Sequence, residues 1–297
     1  MFAAFLAAIF PTFAIATLGY LITRKTDLLR HEGMPILTSQ VALPALVLHS
    51  LLTKGLPLGE MGRLMLVTGV CLTIGAAVVW IGCKLLGKSS RFYLTTLVNP
   101  NTGNFGTPVV FALLGADSLA PALIISVTIT LSHFTLGITA MSGSFAWRKL
   151  LSNTPLIALA TGALLLGFEI QLPTPVMGLL DMLGGVALPL LLLLLGSSLA
   201  NLNLKGRREL GTVAALSLYR PVSGFLIAFV VTRYAGLDPL TSLALMLQMS
   251  MPVAVMSYLL TLRFGGPSDR IAALTITSLP ASLIVLALIY AYQSALV

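Results

Sequence analysis

Ten runs of mostly apolar residues fill this chain, and only short connections separate them. They cover about residues 2–22, 34–53, 64–85, 92–114, 119–141, 153–168, 176–199, 212–234, 240–261 and 271–293. Each is near the ~20 residues that a helix needs to cross a bilayer. In hydrocarbon, every backbone N–H and C=O must find a partner inside the protein, and a helix supplies those partners locally. Charged residues make up 9% of the chain and mean hydropathy is +1.01, against roughly 25% charged in a soluble domain. That composition excludes a disordered chain, a collagen-like chain and an ordinary soluble enzyme. The expectation is an all-α membrane protein with ten transmembrane helices and no soluble domain.

The basic residues are distributed unevenly among the connections. Arg24, Lys25, Arg30, Lys84, Lys88, Arg91, Arg148, Lys149, Lys205, Arg207, Arg208, Arg263 and Arg270 follow the odd-numbered spans. The opposite side holds only Lys54, Arg63 and Arg233. Short cytoplasmic loops are enriched in Lys and Arg, so both termini are expected on the non-cytoplasmic side of a plasma (bacterial inner) membrane. The net charge of +8 is a topology signal; no basic face interleaved with aromatics suggests nucleic acid. The first apolar run is longer than a signal h-region, and its charges follow it. Cys71 and Cys83 share one apolar run, without disulfide or metal-ligand spacing.

The prolines repeat. Pro11 and Pro155 stand 144 residues apart, as do Pro108 and Pro252, while Pro44 and Pro189 are 145 apart. Asn104 falls opposite Gln248 at the same offset of 144. The chain therefore reads as two halves, about 1–142 and 150–297, with five spans each. An odd span count reverses the second half relative to the membrane, an arrangement used by many secondary transporters.

Two spans are interrupted. Span 4 contains Pro100-Asn101-Thr102-Gly103-Asn104-Phe105-Gly106-Thr107-Pro108, a density of proline and glycine that a continuous helix avoids. Span 9 contains Gln248-Met249-Ser250-Met251-Pro252 at the equivalent place. Unwound backbone at membrane depth survives where protein buries it or where it lines a wet cavity. Two interrupted helices crossing there present two helix N-termini, each with free N–H groups and a partial positive charge. That makes an anion site without Lys or Arg. Asn101, Asn104, Gln248 and Ser250 are expected to add neutral polar groups, and Gly106, Pro108 and Pro252 to shape the breaks.

These motifs resemble the auxin efflux carrier family. Pro100-Asn101-Thr102 followed by Gly106-x-Pro108 is similar to its first crossover, and Gln248-x-x-x-Pro252 to its second. Leu43-Pro44-x-x-x-x-His49 resembles its second span, and Gly185-Val186-Ala187-Leu188-Pro189 through Gly196 its seventh. The family includes plant PIN-FORMED carriers and bacterial transporters proposed to move malonate, malate and similar acids. The resemblance implies an inverted five-plus-five fold with two broken crossover helices. It implies a scaffold domain from spans 1, 2, 6 and 7, a transport domain from spans 3–5 and 8–10, elevator-like movement and a homodimer through the scaffold. The chain lacks the long central loop of many plant members.

Other ionisable residues at membrane depth are functional candidates by default. His49, His133, Asp181 and Arg220 are candidate gating or relay groups, with Pro44 and Pro189 as scaffold residues facing the site. Gly82-Cys83-Lys84-Leu85-Leu86-Gly87-Lys88-Ser89 matches a phosphate-loop pattern. It lies at a span end without the strand and nucleotide-binding domain such a loop requires, so it reads as a helix end with topology lysines. No catalytic constellation appears, and no cofactor, nucleotide or metal is expected. The resulting expectation is a secondary carrier for a small carboxylate. A Na⁺- or H⁺-coupled symporter or exchanger of the bile-acid or sodium type is the alternative, with Asp181 as its buried acid.

Overall fold

The computed structural model describes residues 2–54, 57–145, 148, 151–202 and 210–296. Lys149, Lys205, Arg207 and Arg208, which contribute to the orientation argument, lie outside the described residues. The described chain is helical throughout; its one β-type contact is an isolated antiparallel bridge between Pro100 and Val253.

The first half begins with α1 (Phe2–Lys25), α2 (Gly33–Leu37) and α3 (Leu43–Lys54), with a π-helical turn, Thr38–Ala42, joining α2 to α3. Next come α4 (Leu58–Leu85) and α5 (Tyr93–Val98); a second π turn, Thr102–Gly106, leads into α6 (Thr107–Leu114). α7 (Leu119–Ser132) passes through a third π turn, His133–Gly137, into α8 (Ile138–Ser142). The second half holds α9 (Thr154–Gly167), α10 (Thr174–Gly185), α11 (Ala187–Ala200), α12 (Leu210–Ala235), α13 (Pro239–Met249), α14 (Val255–Arg263) and α15 (Ser268–Leu296).

Among the described residues, seven helical segments are long and apolar enough to cross a membrane: Ala3–Lys25, Gly33–Thr53, Leu58–Leu85, Ala116–Ser142, Thr174–Ala200, Gly211–Ala235 and Ser268–Gln293. The runs expected as spans 4, 6 and 9 contain the shorter apolar helices Thr102–Leu114, Thr154–Gly167 and Pro239–Met249. The chain is thus a multi-pass membrane protein. The runs around residues 100–108 and 248–252 are interrupted where their prolines and glycines predict it.

Local chemistry accounts for the ends. Asn153 caps α9 by accepting from the Leu156 N–H at 3.0 Å, and Asp238 caps α13 by accepting from the Thr241 N–H at 3.0 Å. Each is followed by a proline in the first helical turn, where a missing N–H costs nothing. Two of the π turns end just before a helix whose second residue is proline, Pro44 in α3 and Pro108 in α6. Proline donates no hydrogen bond, and its ring crowds the carbonyl one turn back; the widened turn relieves both.

Packing divides the helices into two neighbourhoods. α1 runs along α11, and α3 packs on α9 and α10. α4 packs on α7 and α12, and α12 runs along α15. Helices draw close in lipid where small residues meet. At the α1–α11 contact a Cβ on Gly196 would sit 1.9 Å from the Ala16 carbonyl oxygen, and one on Gly19 would sit 2.2 Å from that of Leu193. Phe13 of α1 meets Phe105 edge-on, with ring centroids 5.8 Å apart, where the two neighbourhoods touch.

Candidate functional site

The two breaks meet each other. After α5 the backbone extends at Asn99 (φ −90°, ψ 112°) and turns at Asn101 (φ −79°, ψ 71°) before the second π turn. After α13 it leaves the helix at Ser250 and resumes at Val255. The Asn101 N–H donates to the Pro252 carbonyl at 2.9 Å, beside the Pro100–Val253 bridge. The Val253 N–H donates to Ser278 Oγ of α15 at 3.0 Å. Buried unwound backbone thus finds partners across the crossing, as membrane depth requires.

The four helix ends at this crossing are treated differently. The carbonyl ends are covered by protein. Arg220 Nη1 of α12 donates to the Met249 carbonyl at 3.1 Å, and Ser250 Oγ donates to that of Met246 at 2.7 Å. Ser257 Oγ donates to the Thr95 carbonyl of α5 at 3.2 Å. The two N–H ends, by contrast, border a cavity of about 880 Å³: Thr102, Gly103 and Asn104 from the start of the π turn, and Ala254, Val255 and Met256 from the start of α14. Partial negative charge is thus neutralised inside the bundle, and partial positive charge faces the open space.

All three π turns reach this cavity. The first supplies Thr38, Ser39 and Gln40, and the third supplies His133 and Phe134. π turns recur at functional sites because the extra residue redirects side chains. Ser126 and Thr130 of α7 and Ser197 and Ser198 of α11 add hydroxyls. Among the described residues the wall holds no Asp, Glu or Lys; its ionisable members there are Arg30 and His133. Arg30 sits beyond α1, 2.9 Å from Asp27. The cavity runs from the crossing to the end of the bundle where Arg30, Ser152, Asn153 and Asn201 lie. It separates the two neighbourhoods: α2, α3, α9 and α11 form one side, and the first break, α7 and α14 form the other.

Of the residues expected to bind substrate, Asn101 and Asn104 line this wall. Neither side-chain amide has a hydrogen-bond partner among the described residues. Gly106, Pro108, Gln248, Ser250 and Pro252 stand behind the wall. Gln248 is fully buried, and its Nε2 donates to the Ala122 carbonyl at 3.1 Å. Its Oε1 presses on Gly106, where a Cβ would sit 2.1 Å away, and finds no donor. Pro108 is the buried second residue of α6, and Pro252 offers its carbonyl to Asn101. Pro44 and Pro189 begin α3 and α11 without themselves lining the cavity, although Leu43, Val47, Leu191 and Leu194 do. His49 and Asp181 form a pair, Nδ1 to Oδ1 3.7 Å, away from the cavity wall. Arg220 is buried behind the second break, its Nε and Nη2 unpartnered.

Sequence reasoning did not single out Thr38, Ser39, Gln40 or Asn99. Their common signal is a small polar or amide side chain within five residues of a proline in an otherwise apolar run.

A multi-pass helical bundle whose interrupted helices cross beside a large cavity has the architecture of a membrane transporter. The membrane transport protein family model, the domain of the auxin efflux carrier family, matches residues 4–144 and again residues 137–290. The chain belongs to that family. Comparison with curated proteins finds no match.

Proposed function

We propose that this protein is a secondary transporter that moves a small organic anion, a carboxylate, across the plasma membrane by elevator-like alternating access. The observation that carries the reading is the sorting of helix ends. Two N–H ends and the amides of Asn101 and Asn104 face a cavity with no acid among its described lining residues, while the carbonyl ends are capped by Arg220, Ser250 and Ser257. Helix N-termini bind anions through their free N–H groups and dipole. Neutral donors bind a carboxylate with enough strength to select it and little enough to release it.

In this reading the chain has ten spans in two inverted repeats of five, with both termini outside. Spans 1, 2, 6 and 7 form a scaffold, through which two copies pair, and spans 3–5 and 8–10 carry the substrate. The cavity follows the boundary between those groups and reaches the end bearing most of the basic loops, which makes this an inward-facing state. The cation-coupled alternative draws less support. A coupling cation would favour the carbonyl end of α13, which Arg220 already occupies. Asp181 is 70% exposed and away from the cavity wall.

The test is thermal stabilisation of the purified protein by carboxylates ranging from malonate and malate to indole-3-acetate, with and without Na⁺. A ligand that binds the folded state raises the melting temperature. One acid is expected to shift it, and Asn101→Ala to abolish the shift in a protein that still melts cooperatively. A shift with Na⁺ alone, and with no acid, would sink the anion reading.

A further inference from the structure

The hydroxyls of Thr128, Thr130 and Thr135 each donate to the carbonyl four residues earlier, at 2.8, 2.9 and 2.8 Å. A hydroxyl on a membrane helix is commonly satisfied in this way. Ser126 of α7 breaks the pattern. The carbonyl four residues before it, that of Ala122, receives Gln248 Nε2 of α13 at 3.1 Å. A carbonyl has two lone pairs, one for the helical N–H and one for a side chain, and Gln248 takes the second. Ser126 Oγ is left without a partner among the described residues. Ser126 lines the cavity, although it is only 7% exposed.

Across from that hydroxyl stands Gly103, the second residue of the second π turn. A Cβ on Gly103 would meet Ser126 Oγ at 3.8 Å, an ordinary contact, and nothing else outside its own turn within 4 Å. Packing therefore does not demand glycine here, in contrast to Gly106, on which Gln248 and Met251 close in. The bare Cα leaves a notch between the turn and the hydroxyl. Backbone donors line it. The first bond inside the turn runs from the Gly106 N–H to the Asn101 carbonyl at 2.9 Å, so the N–H groups of Gly103 and Asn104 have no acceptor among the described residues. Asn101, itself 7% exposed, belongs to the same wall. The start of α14 differs: Ala254, Val255, Met256 and Leu259, which border the cavity there, are all apolar.

We propose that this notch seats the carboxylate of the transported anion. One carboxylate oxygen accepts from the Gly103 N–H and from Ser126 Oγ, and the hydrocarbon part of the anion lies toward Val255 and Leu259. Gln248 is a positioning residue: by holding the Ala122 carbonyl it keeps the Ser126 hydroxyl turned to the cavity. The proposal rests on the carboxylate reading above.

Calorimetric titration of the purified full-length protein with malonate, malate and indole-3-acetate tests it, with a thermal melt of each variant. Ser126→Ala is expected to bind the acid that the wild-type protein binds at least about tenfold more weakly, the loss of one hydrogen bond to a charged group. Gly103→Ala is expected to melt at least as high as the wild-type protein, because alanine is the better helix residue. It is expected to lose affinity by a similar factor, because its methyl group fills the notch. Gln248→Met is expected to weaken binding in the wild-type background and to add nothing in the Ser126→Ala background. Unchanged affinity in a cooperatively melting Ser126→Ala or Gly103→Ala protein overturns the notch, and if one of the two does not fold the other decides. Equal losses from Gln248→Met in both backgrounds overturn its positioning role, since a merely structural effect ignores Ser126. If the wild-type protein binds none of the acids, the carboxylate reading fails first; binding by the wild-type protein with unaltered variants sinks the notch alone.

Discussion

The Asn101 N–H and the Pro252 carbonyl, 2.9 Å apart, join the two halves of the chain at the point where both halves lose their helices. Each break lacks an N–H where proline stands, at Pro100 and at Pro252, and each lends the other part of what it lacks. The crossing is therefore a single backbone unit rather than two independent kinks, and a disturbance of one break is transmitted to the other.

Ser278 supports that unit from α15 by accepting from the Val253 N–H. Ser278→Ala removes the acceptor and leaves a fully buried N–H unpaired. The loss is expected to be about 1–3 kcal/mol, seen as a lower melting temperature together with weaker carboxylate binding, although Ser278 is not in the cavity wall. An unaltered melting temperature would show that the second break holds itself without α15.

Gly106 and Gln248 form the next pair. A methyl group on residue 106 would meet Gln248 Oε1 at 2.1 Å and Met251 Cγ at 3.0 Å. Gly106→Ala is expected to destabilise the protein by about 1–3 kcal/mol through overpacking. Adding Gln248→Ala removes the nearer obstacle, so the double variant should be more stable than the sum of the two single losses by about 1 kcal/mol. Strict additivity in thermal or denaturant melts would mean that the two residues do not share this space.

Arg220 is almost wholly buried, caps the Met249 carbonyl and leaves two of its nitrogens unpartnered. Replacing Arg220 by an apolar side chain of similar size leaves the Met249 carbonyl without this donor, a loss of about 1–3 kcal/mol. Arg220→Met is expected to fold with that loss but to bind the carboxylate about tenfold more weakly, which is ~1.4 kcal/mol, because the positive charge behind the second break is gone. Equal affinity in the two proteins would remove Arg220 from the electrostatics of the site.

The His49–Asp181 pair is 26% and 70% exposed at its two side chains, with 3.7 Å between the nearest atoms. Such exposed pairs contribute little. Asp181→Asn is expected to change stability by less than about 0.5 kcal/mol and to leave any Na⁺ response of transport as it was. Loss of a Na⁺ response in this variant would revive the cation-coupled reading.

The two breaks were legible because proline and glycine punctuate helices whatever surrounds them. Asn153 and Asp238 could likewise be found from the prolines that follow them. The direction in which Gln248 turns was not legible. An amide beside a break can face the cavity or fill the space above a glycine, and only the packing of α6 and α7 against α13 decides. The π turns escaped for a different reason. A π turn and an α turn draw on the same residues, so composition does not distinguish them. What distinguishes Thr38–Ala42 and Thr102–Gly106 is the proline two residues beyond each.

That relation between proline and π turn leads to the last expectation. Pro44 cannot donate to the carbonyl one turn back, and the preceding Thr38–Ala42 turn is widened to accommodate it. Pro44→Ala restores the N–H and removes the ring, so the regular helix becomes available there. Taking one residue out of the wide turn rotates the preceding segment by about 100°, since an α-helix has 3.6 residues per turn. Thr38, Ser39 and Gln40 would then leave the cavity wall, to which they contribute polar groups. The variant is expected to be at least as stable as the wild-type protein, because proline inside a helix costs about 3 kcal/mol. It is also expected to bind the carboxylate at least severalfold more weakly. Melting temperature and calorimetric affinity, measured on the same sample, separate the two effects. A variant that loses stability without losing affinity would show that the first π turn serves packing rather than the substrate.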